Sequence, residues 1–449
     1  MAPQPRIRRD IGLFTAVCIV VANIIGAGIF ITPGIVAAQL PGSGWALLCW
    51  VFGGMIAVAG ALCYAELATR MPEEGAEYVY LKRLYHPALG FLTGWTSFFV
   101  GFSAPVAASA MGFSEYFYAG LGEHIAGLDP GHLAVLKKAT AIAIILVFTS
   151  LHYAGIKVGS RIQNALTVVK IAIVAGLAAA GLAVSGGDWS NITFHEAGSY
   201  SWLGIGTAMM LVMFAYSGWN ASAYIAGELE RPERTLPRSL VTGTLIVIGL
   251  YIAVNLFILK VIPYADLQGA IAVGERAAVR TFGSWMGRGL AFMISIALLS
   301  SLSAYILIGP RVYFAMARDR LFFPFAARVH PRFGVPGRSI VVQGAIAAVM
   351  VSVGSFEQLL VYLGFALGIF PWLAVAGIFI ARRRHIGDST AVRVWGYPVV
   401  PVFFLAATLF LMVVAYVNRP VESTAAVVTV LAGVPCYFLW VRAAHAPGD

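Results

Sequence analysis

The sequence predicts an all-α integral membrane protein with about 12 transmembrane helices, and three observations carry that prediction. Of the 449 residues, 60% are hydrophobic and only 11% are charged, whereas a soluble domain has roughly 25% charged residues. Long apolar runs fill almost the whole chain. Two of these runs are interrupted near their middle by glycine and polar residues.

The apolar runs divide the chain into twelve predicted spans. Each run approaches or exceeds the ~20 residues that a helix needs to cross a hydrocarbon core of ~30 Å. No hydrophilic stretch between them is long enough for a second domain. The two longest loops, after the second and eighth spans, are expected to form short amphipathic helices on the membrane surface. The spans, numbered in chain order, are 11–40, 44–69, 88–119, 134–153, 160–185, 202–228, 236–262, 282–315, 339–355, 357–381, 395–417 and 421–441.

Basic residues indicate the orientation of these spans. Of the 30 Lys and Arg residues, 22 lie in the termini and in loops on the same side, seven lie toward the opposite side, and Lys170 lies within span 5. Because cytoplasmic loops carry the excess of basic residues, this predicts a multi-pass protein of the plasma membrane with cytoplasmic termini at 1–10 and 442–449. The net charge of +10 then reflects topology, with anionic membrane lipid as a partner and no nucleic acid.

The first interrupted run contains the segment NIIGAGIFITPG, from Asn23 to Gly34. In a helix interior each glycine costs about 1 kcal/mol relative to alanine and a proline about 3 kcal/mol, so a plain membrane anchor gains nothing from them. The second interruption lies in span 6, where Ser217, Gly218 and Asn220 fall near the middle of the run. Paired interruptions at corresponding places in two halves of a chain point to the binding site of an inverted-repeat transporter.

The chemistry of a broken helix favours a zwitterionic ligand. Unpaired backbone groups are costly in lipid, so a break persists only where something polar occupies it. The N–H groups that begin the second half-helix, near Ala27 and Gly28, attract an anion. The carbonyl groups that end the first half, near Ile24, attract a cation, and an α-amino acid carries both charges on one carbon. A packing face of small residues explains a single motif of this kind as well, but two motifs in corresponding spans favour a binding site.

Several segments together resemble the amino acid–polyamine–organocation (APC) superfamily, and within it the L-type (LAT) amino acid permeases and the bacterial serine/threonine or alanine exchangers. These segments are IIGAGIF in span 1, CYAELATRMPEEGAEYVYL at the end of span 2, FAYSGWN with GELERPERTLPRS from span 6 onward, and RVYFAMARDRLFFPFAARVHPRFGVP after span 8. The resemblance covers residues 10 to 440 and implies the LeuT-type fold, in which helices 1 and 6 are discontinuous. Its two inverted five-helix repeats would be 11–185 and 202–381, followed by two additional helices within 395–441.

The resemblance also implies where the substrate binds. The N–H groups of Ala27 and Gly28 would hold the carboxylate. The carbonyl groups of Ile24, Phe214 and Ser217 would hold the ammonium group, and the Phe214 ring would close over the substrate from outside. The substrate-binding residues implied in this way are Ile24, Gly26, Ala27, Gly28, Phe214, Ser217, Gly218, Trp219 and Asn220.

Two ionisable residues within the spans are further candidates. Lys170 lies nine residues after Arg161, hence about 13 Å deeper along a helix, and a charge at that depth is by default functional. In the resembling permeases a lysine here takes the place of the sodium ion of coupled relatives, near spans 1 and 8. Its nearest polar neighbours in span 8 would be Ser300, Ser301 and Ser303, and Ser301 is the predicted partner. A lysine in the place of sodium implies sodium-independent transport, by exchange or with H+ as a coupled ion. Glu66, near the end of span 2, is either a proton carrier or the structural partner of a nearby arginine.

The predicted function is therefore secondary active transport of L-α-amino acids by alternating access, with neutral amino acids as the favoured substrates. One alternative is a polyamine or other organic-cation carrier, but that substrate would favour acidic side chains, which neither break supplies. Another is a substrate-sensing receptor on the same scaffold. The sequence shows no nucleophile–base pair, phosphate loop or metal-ligand spacing, so we expect no enzyme activity, no cofactor and no metal.

Overall fold

The computed structural model describes the backbone of residues 9–125, 127–184, 187–194, 201–270, 273–353, 356–388 and 391–445. Within these ranges the side chains of 123, 356–367, 422 and 442–445 are not described. Every regular element of the described chain is a helix. The single β-bridge in these ranges joins Ile11 to Leu229. The residues just before the first helix therefore contact the end of span 6.

Helices occupy all twelve predicted spans, which confirms the all-α membrane fold class. Eight of the described helices are long and apolar enough to cross a membrane, and nine with the bent pair of span 1. In span order the helices are Leu13–Ile24 with Gly28–Ala37, Ser43–Arg70, Pro87–Leu121, Pro130–Tyr153, Ile156–Ala183, Trp202–Ala215 with Ala221–Glu228, Pro232–Val261, Trp285–Arg318, Gly337–Val353, Phe356–Arg383, Val399–Asn418, and Pro420–Leu431 with Gly433–His445. The division into repeats at 11–185 and 202–381 stays a prediction.

The packing of these helices places spans 1 and 6 between long neighbours. Span 8 packs along span 3, and span 7 packs along both span 1 and span 2. Local sequence determines where span 4 begins. Asp129 caps this helix by accepting hydrogen bonds from the N–H groups of Gly131 (2.9 Å) and His132 (3.2 Å). Pro130 fits the first helical turn, where no N–H partner is needed. The long, uninterrupted spans therefore form a frame around the two broken ones.

The loop after span 2 forms a short helix, Glu77–Leu84, but it does not lie on the surface as expected. Six of its eight residues are buried against the bundle. The loop after span 8 contains one short 3₁₀ helix, Pro324–Ala327. Apolar and tyrosine side chains on the first of these helices have more to gain from packing inside the protein than from the membrane interface, because burial removes nearly their whole apolar surface from water.

Glu66 is a structural partner of arginines. Its carboxylate accepts hydrogen bonds from Arg70 (2.9 Å), from Arg382 (2.9 and 2.6 Å) and from the backbone N–H of Val394 (2.8 Å). These contacts join span 2 to span 10 and to the segment that precedes span 11. A carboxylate so fully engaged favours the structural alternative over a proton carrier.

Candidate functional site

The break in span 1 lies where the glycines predict it. The first half-helix ends at Ile24, the second begins at Gly28 with Ala27 as its cap, and the two axes are bent by 42°. The last carbonyl groups of one half and the first N–H groups of the other have no partner within the helix, as at any helix end. Two opposite partial charges therefore face each other across Gly26 and its neighbours.

The break in span 6 has a different backbone. The α-helix Trp202–Ala215 ends in a turn, and the chain continues as the 3₁₀ helix Ala221–Glu228. Gly218, in that turn, has a φ of 103°, a conformation that side chains other than glycine rarely adopt. A Cβ atom at Gly218 would lie 2.8 Å from the backbone carbonyl carbon of Asn23. The two breaks are therefore in direct backbone contact.

Lys170 is fully buried and reaches the first break from span 5. Its Nζ donates hydrogen bonds to the carbonyl oxygens of Ala22 (3.1 Å) and Ile25 (2.6 Å) and to Ser301 Oγ (2.8 Å). The Ser301 hydroxyl lies 3.1 and 3.0 Å from the same two carbonyl oxygens. An ammonium group has three N–H donors, so these three acceptors use its whole capacity.

Tyr251 in span 7 joins the two breaks. Its hydroxyl lies 2.9 Å from the carbonyl oxygen of Ile24 and 3.0 Å from that of Ala215. Ile24 and Ala215 are the last residues of the first halves of spans 1 and 6. The single hydroxyl proton is therefore shared between the two helix ends. Tyr251 was not predicted from the sequence, because nothing in the local sequence distinguishes a tyrosine with such a role from others inside an apolar run.

A central cavity lies between the two breaks. Seven of the predicted residues line it, and the other described residues around it belong mainly to spans 3 and 8. None of the described side chains lining it is charged. A cavity with helix-end partial charges and an uncharged lining fits a small molecule that carries both charges itself. The predicted residues brought together here are Ile24, Gly26, Ala27, Gly28, Phe214, Ser217 and Ser301.

The remaining predicted residues lie elsewhere. Gly218, Trp219 and Asn220 line a second, inner cavity, which adjoins the first half of span 3 and the Glu77–Leu84 helix. The Trp219 ring packs edge-on against Tyr64, with ring centroids 4.9 Å apart, and Asn220 donates a 2.6 Å hydrogen bond to the carboxylate of Glu77. Lys170 lines neither cavity and instead bonds to the backbone of span 1 beside the central one.

Two further polar residues line both cavities and were not predicted. Asn23 donates a hydrogen bond from Nδ2 to the carbonyl oxygen of Ile19 at 2.8 Å. The hydroxyl of Tyr305, in span 8, lies 3.4 Å from the carbonyl oxygen of Asn23. Both residues lie at the boundary between the central and the inner cavity. A lone asparagine beside the IIGAGIF segment was the available sequence signal.

These features define a multi-pass helical membrane protein with discontinuous helices around a mid-bundle cavity, an arrangement typical of secondary transporters. The chain belongs to the amino acid permease family, whose model matches residues 11–440. It is therefore an amino acid transporter of the APC superfamily, and the prediction of a transporter, not an enzyme, is confirmed.

Individual relatives support the LAT-like branch. The chain is 31% identical over 439 residues to the serine/threonine exchanger SteT of Bacillus subtilis (strain 168), covering 96% of this chain and 97% of that protein. It is 29% identical over 440 residues to the b(0,+)-type amino acid transporter 1 of Mus musculus, covering 97% and 88%. It is 26% identical over 448 residues to the Asc-type amino acid transporter 1 of Mus musculus, covering 97% and 82%. These relatives do not favour the polyamine-carrier or receptor alternatives.

Proposed function

We propose that this protein is a sodium-independent exchanger of neutral L-α-amino acids in the plasma membrane, with both termini in the cytoplasm. The observation that carries the proposal is the pair of broken helices whose ends converge on one cavity, with Lys170 bonded to the first break. The N–H groups of Ala27 and Gly28 bind the substrate carboxylate, and carbonyl groups at Ile24, Phe214 and Ser217 bind its ammonium group. The relative named a serine/threonine exchanger supports exchange as the mode of transport.

The lining of the central cavity supports a neutral substrate. Among the described residues around it, the polar side chains are Asn23, Ser109, Ser217, Ser301 and Tyr305, and no carboxylate or ammonium faces the cavity. A charged substrate side chain buried there without a partner would be strongly disfavoured. We therefore propose that the side chain of the substrate is small and uncharged.

Lys170 supports sodium independence. Two backbone carbonyls and one hydroxyl are oxygen ligands of the kind that a hard cation such as sodium would need. Here the amine already occupies all three. Since each of its three N–H donors has an acceptor, these oxygen atoms are not free to coordinate sodium. Movement of spans 1, 2, 6 and 7 against the other spans then alternates access, with Phe214 closing over the substrate.

The basic residues support the proposed orientation. Most lie on the side of the termini, where anionic lipid headgroups are their natural partners. Protease access to tags at the two termini, in spheroplasts and in inside-out vesicles, tests this topology. Cleavage of either tag from the outside of intact spheroplasts would contradict it.

Proteoliposomes test the transport mode. We expect uptake of labelled serine, threonine or alanine only when the lumen holds an unlabelled amino acid, and no change when sodium is replaced by choline. Uptake into empty liposomes that rises with an inward pH gradient would instead support proton symport. A sodium requirement would contradict the role of Lys170.

The variant Gly28→Val tests the binding site in the same assay. A Cβ at Gly28 already comes within 3.4 Å of Ala215 and 4.0 Å of the Phe214 ring, so the two valine methyl groups extend toward the place proposed for the substrate. We expect uptake to be abolished while the protein stays folded, as monitored by size-exclusion chromatography in detergent. Normal uptake by this variant would reject the site.

A further inference from the structure

The inner cavity lies beside the central cavity and shares part of its wall. Asn23, Pro105, Ser217 and Tyr305 line both. The inner cavity continues toward the first half of span 3 and the short helix that follows span 2, whereas the central cavity reaches the later part of span 3. The inner cavity therefore adjoins the central cavity on the side of the bundle that holds the loop after span 2.

Glu77, the first residue of the Glu77–Leu84 helix, lines this inner cavity. The residue is 1% exposed. Its Oε1 accepts hydrogen bonds from the hydroxyl of Tyr64 and from Nδ2 of Asn220, both at 2.6 Å. Its Oε2 is buried and has no partner in the structure. The hydroxyl of Tyr224, which also lines the cavity, is a further neutral donor beside the carboxylate.

Thr96 of span 3 supplies a second unmatched group in the same cavity. The residue is 2% exposed, and its Oγ1 has no partner in the structure. A buried acceptor without a partner costs free energy, more so when it is charged. Both residues line the same cavity, and two buried oxygen atoms without a partner favour a ligand that donates several hydrogen bonds.

The charge of Glu77 is not balanced from within the cavity. None of the described residues lining it is a lysine, arginine or histidine. The arginines near the neighbouring acidic residue Glu66 are engaged by that residue. Burial outweighs the hydrogen bonds from Tyr64, Tyr224 and Asn220 and raises the pKa of the Glu77 carboxyl. The missing partner is therefore a small group with positive charge and several N–H donors.

We propose that the inner cavity is a second substrate subsite, where Glu77 Oε2 and Thr96 Oγ1 accept hydrogen bonds from the ammonium group of an amino acid moving between the central cavity and the end of the bundle that holds the termini. This proposal rests on the proposed function. It adds a stopping point at which the substrate is held by side chains, whereas helix ends hold it in the central cavity.

Transport measured from each side of the membrane tests the subsite. Right-side-out and inside-out vesicles from an expressing host give the KM for labelled serine or alanine at the two faces, with sidedness checked by protease access to a terminal tag. Glu77→Gln keeps the shape of the side chain and a carbonyl oxygen for Tyr64 and Asn220. We expect the KM at the face of the termini to rise about tenfold, as for loss of one hydrogen bond to a charged group. The KM at the other face should change less than about twofold.

Two further variants separate the subsite from a structural role. Thr96→Val removes the second acceptor with little change in volume, and we expect it to raise the same KM about threefold, as for one neutral hydrogen bond. Glu74→Gln is the matched control, because Glu74 is also largely buried and lies three residues from Glu77, but it pairs with Arg318 and is absent from the cavity wall. It should leave the KM at both faces unchanged.

A simple amine identifies the ligand. Propylammonium should inhibit uptake competitively at the face of the termini in the wild type and lose that effect in Glu77→Gln, whereas propionate should do neither. Equal KM changes at both faces would overturn the proposal in favour of a structural carboxyl. Unchanged KM values would indicate a water-filled cavity, and a change in pH dependence alone would indicate a proton site. Failure of the proposed function would look different, because the wild type would then transport no amino acid from either face.

Discussion

The two helix breaks are held open by different means. In span 1 the carbonyl groups at the end of the first half-helix accept hydrogen bonds from side chains of other spans, those of Lys170, Ser301 and Tyr251. In span 6 the break is stabilised mainly by residues of the span itself. Gly218 adopts a positive φ, and the hydroxyl of Ser217 donates to the carbonyl oxygen of Phe214 at 2.8 Å. The first break therefore depends mainly on tertiary contacts, whereas the second depends mainly on its own backbone and shares the Tyr251 hydroxyl with the first.

This difference teaches where stability and transport are coupled. A change in the backbone of span 6 acts directly on folding, because the turn at Gly218 also packs against the backbone of Asn23. Removal of a side chain that bonds to span 1 leaves both half-helices in place and alters only what holds them. We expect variants of span 6 to lose stability and transport together, and variants of the span 1 partners to lose transport first.

The largest expected effect belongs to Gly218→Ala. The new Cβ would meet the backbone of Asn23 at 2.8 Å, at a φ that disfavours alanine. We expect the free energy of unfolding to fall by about 3 kcal/mol or more, from clash and backbone strain combined, and uptake to disappear. Thermal unfolding in detergent measures the first effect and proteoliposome uptake the second.

The control for this variant is Gly249→Ala in span 7, where a Cβ would meet nothing within 4 Å. Alanine also has the higher helix propensity, by about 1 kcal/mol, so this control should match or exceed the wild type in stability. A wild-type melting temperature for Gly218→Ala would show that the span 6 break does not depend on its backbone.

Lys170→Ala should have the second largest effect, and on transport more than on folding. Its removal withdraws two hydrogen bonds from the first break and one from Ser301, while the hydroxyl of Ser301 still reaches both carbonyl oxygens. We expect kcat/KM for exchange to fall about 100-fold, equivalent to about 2.7 kcal/mol. Lys260→Ala is the matched control. Lys260 is also a buried lysine bonded to two carbonyl oxygens, those of Leu182 and Val184, but it lies at the end of span 7, away from the breaks. If both variants lost activity equally, loss of a buried lysine in general would explain the result.

The sequence predicted the twelve spans and both breaks because their signals are local. Apolar length and the cost of glycine and proline in a helix can be read without knowing any neighbour. Lys170 was recognised for the same reason, since a charge deep in an apolar run is itself unusual. The family resemblance then placed the glycines of span 1 and the residues Phe214 and Ser217 around one cavity, where the structure has them.

Roles that depend on tertiary contacts were not predictable from the sequence. Tyr251 is one apolar-looking residue among many in span 7 until the two helix ends are seen beside its hydroxyl. Trp219 and Asn220 were expected at the substrate, but the turn around Gly218 directs them to the inner cavity. Glu77 stood in a loop expected at the membrane surface, and only the packing of that loop reveals it as a buried carboxyl.

Tyr251→Phe sharpens the comparison, because this hydroxyl is the one described side-chain group that bonds to the first-half ends of both breaks. Its loss removes one shared hydrogen bond and leaves the ring packing intact. We expect uptake to fall about fivefold with little change in melting temperature, as for one hydrogen bond of about 1 kcal/mol. Tyr216→Phe is the control, since Tyr216 is equally buried and adjacent but donates to the carbonyl oxygen of Trp50 in span 2. A larger loss in Tyr216→Phe would contradict the bridging role.

Gly26→Ala should have the smallest effect and the most specific one. A Cβ at Gly26 would meet nothing within 4 Å, yet Gly26 lines the central cavity, so the methyl group enters the cavity without touching protein. We expect an unchanged melting temperature and a KM that rises about threefold for serine or threonine, the scale of a single misplaced methyl group in a pocket. Glycine as substrate, with no side chain of its own to displace, should lose less. An equal KM change for glycine and threonine would mean that the methyl group disturbs the bound backbone of the substrate, and would place the substrate closer to Gly26 than a site centred on the N–H groups of Ala27 and Gly28 allows.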